Sequence, residues 1–173
     1  TAAEKLRSAA EGKAHELAGL NPTRVHLVEK LEKLVEAYNL GTLGTEAFFG
    51  ALKALIARME EEERRAAREG LTEEELAVFD LLTRPEPKLT KTQEADVKRI
   101  ARDLLEKLQG LRVERWRLNH RTRAAVHSQI RFALNELPEE PYPEEVWDTK
   151  VEAVWQFVYH HAAPPPGTAA TAR

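Results

Sequence analysis

The chain has 173 residues, 42% apolar and 32% charged, with a net charge of −3 and few aromatic side chains. That length can bury a real hydrophobic core, and the balance of Ala, Leu, Glu, Lys and Arg favours helices. No cysteine is present, which excludes disulfides and thiolate metal sites and fits a cytoplasmic protein. No apolar run of about 18 residues could span a membrane, and the net charge argues against a general nucleic-acid coat.

Residues 3 to 18 are predicted as a charged, small-residue helix with Leu6, Ala10 and Leu17 on one stripe. Asn21 before Pro22 marks a helix start, Asn as cap and Pro at the first helical position. Leu27, Leu31, Leu34, Val35 and Tyr38 then keep helical spacing as far as Asn39-Leu40-Gly41. Thr45 is placed as the cap of a long third helix through Phe48, Phe49, Leu52, Leu55, Ile56 and Met59. Its pattern fades into Glu60 to Arg68, read as a solvated extension, and Gly70 ends it. Thr72 with Glu75 has capping-box spacing and opens a fourth helix. Leu76, Phe79 and Leu82 form its stripe, and Pro85 and Pro87 stop it.

Thr90 with Gln93 repeats the cap spacing and opens the clearest amphipathic run, Val97, Ile100, Ala101, Leu104, Leu105 and Leu108, closed by Gly110. Val126, Ile130, Ala133, Leu134 and Leu137 build a sixth helix ending at Pro138. Pro141-Tyr142-Pro143 is a rigid turn into a last helix with Trp147, Val151, Val154, Trp155 and Val158. Residues 164 to 173 have nothing to bury and are expected to form a flexible tail. Only Leu111-Arg112-Val113 is ambiguous between strand and loop, and no fixed-period repeat appears. The expected fold is all-α, a helical bundle of about seven helices. Two arrangements stay open: two packed lobes, the helices from about 23 to 69 and those from about 72 to 160, or one bundle with the proline-rich linker at 84 to 89 inside it.

Motifs for chemistry are missing. The sequence has no Gly-x-x-x-x-Gly-Lys, no Gly-x-Gly-x-x-Gly and no Gly-x-Ser-x-Gly. His120 and His127, seven apart on one helix, are about 10 Å apart along the axis, too far to share an ion without a bend. His160 and His161 suit a helix C-terminus. Asp80, among Val78, Phe79, Leu81 and Leu82, reads as a residue at the rim of a core. The chain is expected to bind no cofactor of its own, hydrolyse no ATP and cut no DNA.

The charge distribution is more informative. Arg112, Arg115, Arg117, Arg121, Arg123 and Arg131 stand against the single acid Glu114, with Trp116 among them. Arg makes bidentate, charge-assisted bonds to phosphate, so this segment could contact nucleic acid. With a net charge of −3, pairing with an acidic partner or with the chain's own glutamates is the favoured reading over nucleic-acid contact. Trp116 reads as a core anchor with Leu118 its neighbour. Trp147 and Trp155, eight apart, fall on one helix face as core or as an interface anchor.

Three stretches together resemble the C-terminal helical region of the restriction (motor–nuclease) subunit of Type I restriction–modification enzymes. They are Asn21-Pro-Thr-Arg-Val through Asn39, Arg68-Glu-Gly-Leu-Thr through Thr83, and the Trp116 region with Thr122 to Val126 and Pro138 to His160. The resemblance implies a parent subunit with nuclease and RecA-like motor domains that use ATP and Mg2+ to translocate double-stranded DNA. It implies for this chain a role in docking that subunit onto the methyltransferase and specificity subunits, and it transfers no catalytic residue. With Thr1 rather than Met at the start, the chain is expected to be a piece of a larger protein. Its parts would be an N-terminal helix at 1–20, a helical assembly domain at 21–163 and the tail at 164–173. Two other readings stay open: a helical domain contacting DNA through Arg112–Arg131, and a stand-alone helical adaptor.

Overall fold

A computed structural model describes residues 1–161; the tail expected at 164 to 173 lies outside the described residues. Among the described residues there are seven α-helices, two single 3-10 turns and no strand. The chain divides after Glu73 into two compact units.

The first unit holds α1 (Ala2–Leu20), α2 (Val25–Asn39) and α3 (Thr45–Arg68), each packed on the other two. Ala10, Ala14 and Leu17 of α1 meet Leu27 and Leu31 of α2 and Phe48, Leu52, Leu55 and Met59 of α3 in one core. Ala10 and Ala14 carry so little volume that α1 can approach its neighbours closely, and Tyr38 stacks on Phe48 at 4.2 Å between ring centroids. Asn21 is buried and its side chain accepts from the Thr23 amide at 3.1 Å. The turn it opens is 3-10, Pro22–Arg24, and the α-helix proper begins only at Val25.

Thr45 is not a cap. The extended residue before α3 is Gly44, which leaves Thr45 as the first helical residue with no side-chain cap bond. The other end of α3 follows expectation. Gly70 takes a left-handed φ of 68°, Gly70 N donates to Ala67 O and Leu71 N to Ala66 O, and Leu71 is buried. Only glycine adopts that backbone at no steric cost, and it satisfies the orphan carbonyls of the last turn.

The second unit takes in the rest of α4 (Glu73–Thr83), then α5 (Lys91–Leu108), α6 (His120–Leu134) and α7 (Glu144–His160). In α4, Leu76, Ala77, Val78, Asp80 and Leu82 are all out of solvent, so more than one stripe of this short helix is covered. Thr90 and Gln93 form the expected reciprocal cap of α5, with bonds of 3.2 and 2.9 Å. The apolar face of α5 packs against α6, which packs in turn against α7.

Two boundaries differ from the sequence reading. α6 stops at Leu134, because Glu136 N and Leu137 N turn back to Ala133 O and Leu134 O in tight i, i+3 bonds. Leu137 is buried all the same, from beyond the helix. At Leu111-Arg112-Val113 no strand forms. Leu111 N and Arg112 N both donate to Leu108 O, which unwinds α5 into a loop.

Candidate partner-binding surface

The arginine segment occupies the loop after α5, the 3-10 turn Trp116–Leu118 and α6. Its six guanidiniums do not form one surface. Arg112 points inward, and its Nη1 lies 2.6 Å from Glu74 Oε1, with a side chain only 2% exposed. This is an ion pair by proximity, since Arg112 Nη1 and Nε have no aligned hydrogen-bond acceptor.

Arg117 turns to the end of α7. Its Nε donates to Tyr159 O and its Nη2 to His161 O, the latter at 2.9 Å. A cation there meets both the free carbonyls and the negative end of the helix dipole. The same guanidinium lies over Trp116 at 5.3 Å and over Tyr159 at 6.0 Å. Arg123 donates to Arg117 O at 2.9 Å, which ties α6 to the 3-10 turn. Arg131 lies 4.8 Å over the ring of Trp147.

Arg115 and Arg121 are different. Both are exposed, and among the described residues neither makes an ion pair. Arg115 is also the one non-glycine residue with positive φ, 61°, among the described residues. An L side chain in that region costs about 1–2 kcal/mol.

The aromatic residues explain why the segment folds this way. Trp116 is buried and meets Trp155 at 6.3 Å and Tyr159 at 6.0 Å, both edge-on. His127 packs edge-on to Trp155 at 5.1 Å. Trp147 is half-buried, and its indole N–H donates to Leu134 O at 2.8 Å, closing the C-terminus of α6. Leu118 does not join Trp116. Two residues apart in a 3-10 turn place side chains on different sides, and Leu118 is 72% exposed.

Leu118 is not the only large apolar side chain left outside. On α6, Arg121, Ala125, Ser128 and Phe132 follow at i, i+4, i+7 and i+11, and all four are exposed, Phe132 to 65%. Lys107 of α5 lies 5.6 Å over the Phe132 ring. The outer face of α6 is therefore small-sided and basic, with a largely exposed aromatic ring, and α6 carries no carboxylate at all.

The end of α3 is less solvated than its composition suggests. Glu62 and Arg65 face inward and pair at 2.9 Å, and Arg24 joins them from the turn before α2. Arg24 is wholly buried, with Glu73 Oε2 at 2.9 Å as its second carboxylate. Sequence reasoning did not single out Arg24. The signal was there, since Arg24, Leu27 and Leu31 share one helical stripe. Glu60, Glu61, Glu63, Arg64 and Arg68 do face solvent.

The remaining candidates have ordinary partners. Asp80 is buried, with Arg84 Nε at 3.7 Å. His161 Nδ1 contacts Phe157 O and His160 Nε2 contacts Gln156 Oε1, both at 3.0 Å. Among the described residues no group of three or more His, Asp or Glu could hold a metal ion. No described helix is long and apolar enough to cross a membrane.

Residues 1–162 match the family described as Type I restriction enzyme HindI endonuclease subunit-like, C-terminal. No curated protein and no solved structure matches the chain. The match takes in α1 together with every helix described after it, in agreement with the packing of α1 into the first core. All-helical, and matched over nearly its whole length, the chain belongs to the family of C-terminal domains of HindI-like Type I restriction enzyme endonuclease subunits.

Proposed function

We propose that this chain is the assembly end of a Type I restriction endonuclease subunit. It docks the ATP-dependent translocase and nuclease parts of that subunit onto the methyltransferase and specificity subunits. The observation that carries this reading is the outer face of α6 with its neighbouring turn. Leu118 and Phe132 leave large apolar surface in water beside the unengaged Arg115 and Arg121. Exposed apolar side chains rimmed by charge are how protein interfaces are built. ATP and Mg2+ would act in the parent's other domains, on double-stranded DNA in the cytoplasm.

Replacing Leu118 and Phe132 with Glu tests this. Neither side chain belongs to the core, so the helical circular dichroism should stay unchanged while co-purification of the parent subunit with methyltransferase is lost. Deleting residues 71–161 from the parent should abolish the same assembly and leave motor and nuclease folded. Wild-type recovery of the complex with both changes would reject the docking role.

A second reading, direct contact with double-stranded DNA, is favoured by the exposure of Arg115 and Arg121. It needs only two free guanidiniums and predicts weak, salt-sensitive, sequence-independent binding.

A further inference from the structure

The first unit carries a groove that the docking reading does not use. It runs along α1 and α2 and encloses about 400 Å³. Val28, Leu31 and Val35 line it with apolar surface, and Leu40, 71% exposed, lines it at the C-terminal end of α2. Carboxylates supply the charge: Glu11 from α1, and Glu32 and Glu36 from α2. The lining holds one arginine, Arg7, and its Nε is already held by Glu11 Oε1 at 3.0 Å. Among the described residues Glu32 and Glu36 make no ion pair and both are exposed.

α2 ends at Asn39 beside the groove and has no basic residue in its last turn. The carbonyls of Ala37 and Tyr38 are capped by the amides of Gly41, Thr42 and Leu43, so the helix end is closed by the chain itself. The exposed carboxylates of Glu32 and Glu36 place negative charge beside an apolar slot. Nucleic acid is repelled by such a surface.

We propose that this groove binds a basic amphipathic helix of a partner protein. Aliphatic side chains of that helix seat against Val28, Val35 and Leu40, and its Lys or Arg side chains meet Glu32 and Glu36. The cavity lies in the size range of specific binding sites, and an apolar face laid into a groove is an established mode of helix recognition. The inference stands on the first unit alone and does not depend on docking to methyltransferase.

The probe is a fluorescent peptide of about 16 residues, long enough to be helical when bound, with Leu on one face and Lys and Ala elsewhere. It is titrated into the full 173-residue chain by anisotropy, and its footprint is read from amide chemical shifts. Saturable binding with shifts at Val28, Val35 and Leu40 is expected. Glu32→Lys with Glu36→Lys should weaken it about tenfold or more, as should exchange of Lys for Glu in the peptide. Leu40→Ser, at an exposed position, should weaken it without lowering the melting temperature. Equal binding of the acidic peptide, a footprint elsewhere, or unchanged affinity in these variants would overturn the proposal. So would concentration-dependent dimerisation abolished by Leu40→Ser, which would assign the groove to a second copy.

Discussion

The Arg24 guanidinium has no contact with solvent, and its Nε donates to Glu62 at 3.2 Å across 38 residues of sequence. Nη1 lies 2.9 Å from Glu73, and Nη2 donates to Glu62 O at 3.2 Å. One side chain thus joins the turn before α2, the last part of α3 and the first residue of α4. Removing it leaves Glu62 with Arg65 alone and takes from Glu73 its arginine, so Arg24→Ala should cost about 3–5 kcal/mol in urea unfolding. A loss below about 1 kcal/mol would mean that solvent already screens the network.

Acid should attack the same place. Burial alone would raise the Glu62 pKa, but Arg65 and then Arg24 outweigh it and hold it below the ordinary 4.5. Through that range the unfolded chain binds more protons than the folded one. The contribution of Glu62 is therefore complete above pH 4.5 and is lost as pH falls through the lower folded value. Glu62→Gln should lower stability at neutral pH and flatten the acid limb of stability against pH.

At the other extreme, burial pushes the Tyr142 phenol from 10.0 up to about 12. Its hydroxyl donates to Leu82 O at 3.1 Å, so the folded state holds the neutral form. Stability tied to Tyr142 should be intact below pH 10 and decline between 10 and about 12. Tyr142→Phe should cost about 1 kcal/mol at neutral pH and remove this alkaline decline, read by denaturant unfolding across the range.

Leu104 is wholly buried on α5, and Leu104→Ala should cost about 2–5 kcal/mol. Leu118→Ala removes the same atoms from an exposed site and should change stability by less than about 0.5 kcal/mol. Equal losses in the two variants would contradict the packing described for both.

The arginines should separate by experiment. Arg117→Ala strips the carbonyls of Tyr159 and His161 of their donors and should cost about 1.5–3 kcal/mol. Arg121→Ala should leave stability unchanged. If the chain touches DNA at low salt, replacing Arg115 and Arg121 should lower the slope of log affinity against log salt by about 0.9 per contact. A gel-shift series in which only Arg117→Ala alters that slope would reverse this assignment.

What could be read from sequence is what local chemistry decides. The Thr90–Gln93 cap, the Gly70 stop and the stripe from Val97 to Leu108 all depend on residues within a turn or two of each other. The destinations of long side chains depend on segments far away in sequence. A cluster of arginines looks like a surface because nothing near Arg117 announces that the carbonyls of α7, more than forty residues on, will reach it. Glu62 and Arg65 read as solvated in the sequence for a related reason. They continue the inward stripe of Met59 as charged residues, and charge masks periodicity when only apolar positions are counted.

All three tryptophans lie beyond Glu73, in the second unit, while the first unit's aromatic side chains are Tyr38, Phe48 and Phe49. The chain is thus optically labelled on one side. Indole emission follows the melting of the second unit alone, whereas far-ultraviolet ellipticity sums the helices of both. Overlaying the two denaturation curves of the unmodified protein tells whether the units unfold as one cooperative body or in succession, with no dye or substitution needed.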